Sequence, residues 1–296
     1  MINLKYFPKL YRYVVSLNKI REDELINFDG VTVFTSLDIL KQREINELEK
    51  IKILKLISYQ SIILNHLKFN KPTVNQLLNI FKYEENLLEE LSFCIQNYLM
   101  DYKIIFSEKS SLIKFINYFK INKKKQKKIS LKKNNLYILV GAPCSRKSTW
   151  IKEQNKKFIV LNKDSCVEQV GIKYGKNNYD DSYALMHRDE NIKNEIKKLE
   201  DIQVKTVLKS VDKDIVIDNP NLRIKNRKEW IKLFKNNHYI KVIVFLVPFK
   251  KLIECSDIRS KEIQKSISEK GIISKLKTFK YPILSEGIDT VENIFY

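Results

Sequence analysis

Four short apolar runs punctuate the second half of the chain, and each ends on a residue that stops a strand. Leu136 to Val140 ends at Gly141, Phe158 to Leu161 at Asn162, Ile215 to Ile217 at Asp218, and Val242 to Val247 at Pro248. Charged, helix-compatible stretches separate them. Unbroken apolar strands alternating with helices predict a three-layer α/β domain around a parallel sheet buried on both faces. In such sheets ligands bind beyond the carboxyl ends of the strands, so functional residues are expected directly after the four runs. The first half reads differently. Ile45, Leu48, Ile51, Leu54 and Ile57 recur every three residues, with Leu64 two turns on and Ser61 interrupting the series. A strict spacing of three drifts around a helix, so this apolar face is broad. A second series runs Leu77, Phe81, Leu87, Leu88, Leu91, Cys94, Ile95 and Tyr98, with a gap at Glu84 and an entry signal at Pro72-Thr73. A mostly helical domain is expected over residues 1–120, either a bundle, a helix-turn-helix-like module or a domain packed on its neighbour.

Lys123, Lys124, Lys125, Lys127, Lys128, Lys132 and Lys133 break the apolar patterning. The boundary therefore falls in a basic linker over 121–135, either a solvated connection or a phosphate contact, with the α/β domain over 136–296. Apolar residues make up 44% of the 296, and glycine and proline number only 6 each, which excludes disordered and collagenous chains. The formal charge of +20 produces a field that attracts nucleic acid, phosphorylated substrates or anionic surfaces; a nucleic-acid partner is the expectation. Four scattered cysteines and three scattered histidines predict neither disulfides nor a zinc site. No run approaches the 18 or so apolar residues of a membrane span, and a cytoplasmic protein without a membrane partner is expected.

The chemistry concentrates after the first run, where the chain reads Gly141-Ala142-Pro143-Cys144-Ser145-Arg146-Lys147-Ser148-Thr149-Trp150. A phosphate-binding loop asks for Gly, four residues, then Gly-Lys-Ser/Thr. Gly141, Lys147 and Ser148 hold that spacing, and Arg146 replaces the second glycine. Loop N–H groups would cradle the phosphates of ATP, Lys147 would reach the β- and γ-phosphates, and Ser148 would hold Mg²⁺. The arginine either fits in special dihedrals, its guanidinium available to phosphate, or obstructs the nucleotide. Asp164 is a carboxylate at a strand end, suited to orienting an acceptor; the routine alternative is a helix cap, with either Asn162 or Asp164 capping the next helix. Asp218 has the character of a Walker B carboxylate acting on Mg²⁺, or of a routine turn residue before Asn219-Pro220.

The ordered set of this loop, Asn162-Lys163-Asp164, Asp218 with Asn221-Leu222, Arg227 and Trp230, and Val247-Pro248 with Arg259 resembles the 5′-kinase domain of phage-type polynucleotide kinases, over roughly residues 136 to 260. The resemblance implies ATP- and Mg²⁺-dependent phosphoryl transfer to the 5′-hydroxyl of RNA or DNA, an activity of nucleic-acid repair. It implies Asp164 as general base, Arg259 as a phosphate clamp, and Asn221 and Arg227 near the acceptor, with Trp230 in the core. Two arginines of the family's pattern are absent, their positions held by Val167 and Cys255. With Arg146 in the loop, these departures leave two other readings open: a degenerate nucleotide- or nucleic-acid-binding protein, and a small-molecule kinase of the same fold. The first half shows neither a DxD phosphatase signature nor a ligase-like motif.

Overall fold

The computed structural model describes residues 29–41, 45–69, 71–84, 87, 90, 134–210, 212–263, 265 and 267–296. The basic run of 123–133 and the apolar positions Leu88, Leu91, Cys94, Ile95 and Tyr98 lie outside them. The chain divides into two compact units, Met1–Ile129 with Lys275–Glu286, and Ser130–Ser274 with Gly287–Tyr296.

The first unit contains helices α1 (Asp29–Leu40), α2 (Glu47–Phe69) and α3 (Val74–Ile80). α2 runs straight through Ser61, because polar residues on one side of the helix meet backbone from the returning segment 275–286. The Ser58 hydroxyl accepts from Tyr281 N–H at 2.8 Å, the Tyr59 hydroxyl donates to the Tyr281 carbonyl at 2.5 Å, and the Lys280 ammonium donates to the Ser58 carbonyl at 3.0 Å. Ile53, Leu54, Leu56 and Ile57 are all buried, so α2 is enclosed over more than one face, whereas Leu48, expected on the apolar side, is 79% exposed. Gly30 on α1 has a backbone reason: a Cβ there would lie 2.1 Å from the Leu276 carbonyl oxygen. α3 starts where the sequence places it, with Thr73 as N-cap and its N–H donated to the Gln76 side chain at 2.8 Å. It ends before Glu84, the gap in the apolar series, and Glu84 pairs with Lys55 at 3.1 Å.

The second unit is the expected parallel α/β domain. Its elements run β1 (Asn134–Val140), α4 (Lys147–Glu153), β2 (Ile159–Leu161), α5 (Lys163–Lys173), α6 (Tyr179–Arg188), α7 (Glu190–Leu208), β3 (Ile215–Ile217), α8 (Ile224–Phe234), β4 (His238–Leu246), α9 (Phe249–Ile263), the start of α10 (Glu269–Leu276) and β5 (Thr290–Phe295). The sheet order is β2-β3-β1-β4-β5 with every pairing parallel. The fourth apolar run is the end of a longer strand that begins at His238. β5 was not expected, because its sequence TVENIF is half polar and holds no unbroken apolar run, as suits an edge strand paired only through β4.

The register aligns the strand ends that matter. Ile138 pairs with Ile217, and Leu161 pairs with the same Ile217, so the residues following β1, β2 and β3 emerge side by side. One sheet face buries Tyr137, Leu139, Val216, Ile243 and Phe245 beneath Trp150 and Ile151 of α4. Trp150 lies near-parallel to Phe158 (centroids 6.2 Å apart) and edge-on to Phe245, which anchors the helix that follows the loop.

Beside the sheet, α5, α6 and α7 share their own core of Cys166, Val167, Val170, Met186, Ile192 and Ile196. Gly171 permits the crossing of α5 and α6: a Cβ there would lie 2.0 Å from Ser182 Oγ and 2.4 Å from its Cβ. Gly171→Ala is therefore expected to destabilise the protein by about 1–3 kcal/mol through overpacking, although alanine is the better helix former. Urea titration of Gly171→Ala, Ser182→Gly and the double variant checks this; the double variant should lose clearly less than the two single losses added together.

Candidate active site

The loop between β1 and α4 closes on itself through backbone geometry. Gly141 needs its hydrogen: a Cβ would approach Ser145 Oγ to 2.4 Å and Phe245 Cβ to 3.0 Å. Its N–H donates to the Pro220 carbonyl at 3.1 Å, tying the loop to the turn after β3. Cys144 (φ 64°) and Arg146 (φ 67°, ψ 18°) both adopt the left-handed conformation. Arg146 thus occupies the backbone state for which the motif uses glycine, at a steric cost of about 1–2 kcal/mol for an L-residue. Its side chain lies against an aromatic ring. The guanidinium lies 4.6 Å from the ring centroid of Tyr296 and 4.0 Å from Glu153, and Tyr296 in turn stacks on Phe245. The arginine is accommodated in the left-handed conformation, with its charge beside an aromatic ring.

Lys147 is only 9% exposed. Its ammonium donates to the carbonyls of Gly141 (3.1 Å) and Ala142 (2.8 Å), with Ser145 Oγ at 3.4 Å. Burial lowers its pKa from 10.5 to about 8; the charges of Asp218 and Asp164 work against that shift, and Arg259 adds to it. This ammonium is therefore poised for the negative charge that a phosphate would bring.

Asp218, buried at the end of β3, accepts on Oδ2 from both the Ser148 hydroxyl (2.8 Å) and the Asn162 amide (3.0 Å). Asn162 has a second task. Its Oδ1 accepts from Asp164 N–H at 2.7 Å, so it is the N-cap of α5, and the capping role left open between Asn162 and Asp164 belongs to Asn162. The Asp164 carboxylate is consequently left for other partners. Its Oδ1 accepts from the Tyr179 hydroxyl at 3.0 Å and its Oδ2 from the Lys265 ammonium at 2.5 Å. Burial, and next the Asp164 charge, push the Tyr179 pKa up, so this phenol stays a proton donor.

The remaining expected residues divide. Arg259 on α9 reaches the loop, its Nη1 3.9 Å from Cys144 Sγ. Ala142 and Ser145 are buried in the loop, and Pro143 and Thr149 are partly covered. Asn221 and Arg227, expected near an acceptor, are buried and brace the turn after β3. Asn221 (φ 47°) donates to the Leu139, Ile217 and Asn219 carbonyls, and Arg227 donates to the Asn221 and Leu222 carbonyls at 3.0 Å each. Val167 lies in the α5–α7 core and carries nothing to the site. Sequence reasoning missed Lys265, Tyr179 and Tyr296. No motif marks them, and they reach the site from 101, 15 and 150 residues away from Asp164, Asp164 and Arg146 respectively.

A buried strand, a closed loop ending in Lys-Ser and a carboxylate holding that serine from the next-but-one strand end are the parts of a phosphate-loop nucleotide site. Residues 136–271 match the family model described as AAA domain (AAA_33). This region is similar to phosphate-loop NTPase domains. No curated protein matches the chain. The match is consistent with an ATP-binding fold of the kind capable of phosphoryl transfer in general. Among the described residues no group of three or more His, Cys, Asp and Glu is arranged to hold a metal ion, and no helix is long and apolar enough to cross a membrane.

Two outcomes follow for this loop. Arg146→Ala keeps the left-handed strain and loses the contact with Tyr296, so it should destabilise by about 0.5–1 kcal/mol. Arg146→Gly loses the same contact but relieves the strain, and should stay within about 1 kcal/mol of wild type by thermal or denaturant unfolding. The pKa of Lys147 gives the other. Between about pH 8 and 10.5 the unfolded chain holds the lysine proton and the folded chain does not, so Lys147 makes stability rise with pH across that window. Lys147→Met should flatten this rise and raise stability at neutral pH, where the charged form is buried at a cost. Denaturant titrations from pH 7 to 10.5 read both effects.

Proposed function

We propose that the chain transfers the γ-phosphoryl group of ATP to the 5′-hydroxyl end of RNA or DNA. The observation that supports this reading above others is the second carboxylate. Asp218 serves the loop serine, while Asp164 stands apart on α5, 42% exposed at its side chain and close enough for its charge to be felt at Lys147. A site built only to hydrolyse nucleotide has no evident use for a carboxylate oriented by both a tyrosine and a lysine.

In this reading the N–H groups of the 141–149 loop and the Lys147 ammonium hold the phosphates of ATP, and Arg259 balances charge on the transferring group. Ser148 and Asp218 would hold Mg²⁺. A hydroxyl and a carboxylate 2.8 Å apart are the hard oxygen donors that this ion takes, usually one or two from protein with waters and phosphates completing the shell. Bound Mg²⁺ would supply charge neutralisation at the phosphates. Asp164 accepts the proton of the attacking hydroxyl as its oxygen bonds to the γ-phosphorus and the β–γ bridge breaks to release ADP. Tyr179 and Lys265 orient the carboxylate. The +20 formal charge suits a polyanionic acceptor.

Transfer of label from γ-labelled ATP to 5′-hydroxyl oligonucleotides in Mg²⁺ tests the reading. Asp164→Asn should lower kcat by roughly 10²- to 10⁴-fold while leaving ATP affinity near wild type, the range for losing a general base. Lys147→Ala should abolish transfer. Label released only as inorganic phosphate, with none on any oligonucleotide, would replace the kinase reading with an ATPase.

A further inference from the structure

Both oxygens of the Asp164 carboxylate are engaged, although its side chain is 42% exposed. Oδ1 accepts from the Tyr179 hydroxyl at 3.0 Å and Oδ2 from the Lys265 ammonium at 2.5 Å. The two donors differ in how they are held. Tyr179 belongs to α6 and packs on the α5–α7 core. Lys265 comes from the stretch between α9 and α10, and its side chain, 14% exposed, is fixed by what it touches. Its ammonium lies 3.7 Å from the Tyr179 ring centroid and 3.9 Å from Glu168. Asp164 and Glu168 are four residues apart on α5, so both carboxylates lie on one face of that helix with the ammonium within reach of each.

A base that serves an acceptor hydroxyl must not serve water in its place. Hydrolysis needs only that a water oxygen bond to the γ-phosphorus, the β–γ bridge break to release ADP, and a water proton pass to the base. With Lys265 on Oδ2, a water approaching that oxygen has to break a charge-assisted hydrogen bond and leave a largely covered ammonium short of a partner. A bound acceptor differs, because its contacts away from the reacting hydroxyl supply the free energy for a rearrangement at the base. Glu168 gives the ammonium a second carboxylate one helical turn away.

We propose that Lys265 is a specificity-determining residue that closes Asp164 to water, and that it passes to Glu168 when an acceptor enters. The proposal rests on the reading of Asp164 as general base. It adds the means by which ATP is kept from hydrolysis while no acceptor is bound, with Tyr179 as the partner that stays on the carboxylate throughout.

The test is release of labelled phosphate from γ-labelled ATP with Mg²⁺ and no acceptor. Lys265→Met should raise this rate by roughly 10- to 100-fold, the worth of a hydrogen bond to a charged group. Adding Asp164→Asn to Lys265→Met should remove the gain, because water then has no carboxylate to take its proton. Lys265→Arg, which restores a cation, should bring the rate back down toward wild type. A lysine that only steadied Asp164 would give a fall in Lys265→Met, not a rise. Affinity for a non-hydrolysable ATP analogue, read by calorimetry, shows whether each variant keeps its nucleotide site, and Lys265→Gln takes the place of Lys265→Met where that variant does not bind. An unchanged or lower rate in a variant that binds the analogue overturns the proposal, as does a gain that survives Asp164→Asn. Loss of analogue binding in both variants overturns it too, since the proposal gives Lys265 no contact with the nucleotide. Transfer to a 5′-hydroxyl oligonucleotide is read on the same samples. A gain through Asp164 without any transfer by wild type upholds the role of Lys265 and removes the polynucleotide acceptor; transfer without a gain does the reverse.

Discussion

Asp218 Oδ2 receives hydrogen bonds from Ser148 and Asn162, and through this one oxygen the ends of three strands are held to a common geometry. Ser148 belongs to the loop after β1, Asn162 closes β2 and caps α5, and Asp218 itself closes β3. Asp164 takes its place because Asn162, fixed by Asp218, receives its N–H. Around this node the apolar strands supply rigidity and the buried Asn221 and Arg227 brace the turn that follows β3. A low-exposure carboxylate with two donors on one oxygen is costly to leave unpaired, so the three strand ends are coupled rather than independently placed.

The loop departs from its motif at the residue that sets the direction of the backbone. A left-handed arginine is strained, and the strain is offset by partners that only the folded domain brings together: Tyr296 after β5 and Glu153 on α4. The cation faces an aromatic stack, and Lys147 remains the buried charge on the inner side, its pKa lowered by burial and partly restored by the two carboxylates.

How much of this was legible beforehand follows from the range of the interactions. Strands announce themselves locally, because a strand buried on both faces must be apolar throughout, and the three runs before Gly141, Asn162 and Asp218 could be read directly. β5 could not, since an edge strand is free to carry polar residues such as Glu292 and Asn293. The length of α3 was hidden for a related reason: Glu84 looked like a flaw in a long helix, whereas it lies beyond a short one and pairs with Lys55. The loop, Asp164 and Asp218 were visible because spacing from a strand end determines position. Lys265, Tyr179 and Tyr296 were not, because their role depends on tertiary closure over long chain distances. Arg227 shows the same limit from the other side: a charged residue beside a site suggests a ligand contact, whereas this one is buried and donates to the Asn221 and Leu222 carbonyls.

The central claim is that the 141–149 loop holds a nucleotide's phosphates despite Arg146. A crystal structure with Mg²⁺ and a non-hydrolysable ATP analogue tests it most directly. The account predicts phosphate oxygens on the loop N–H groups and on the Lys147 ammonium, which leaves the Gly141 and Ala142 carbonyls to reach them, with the Arg146 guanidinium still against Tyr296. An analogue bound elsewhere, or an Arg146 side chain filling the loop with no phosphate in it, would contradict the account.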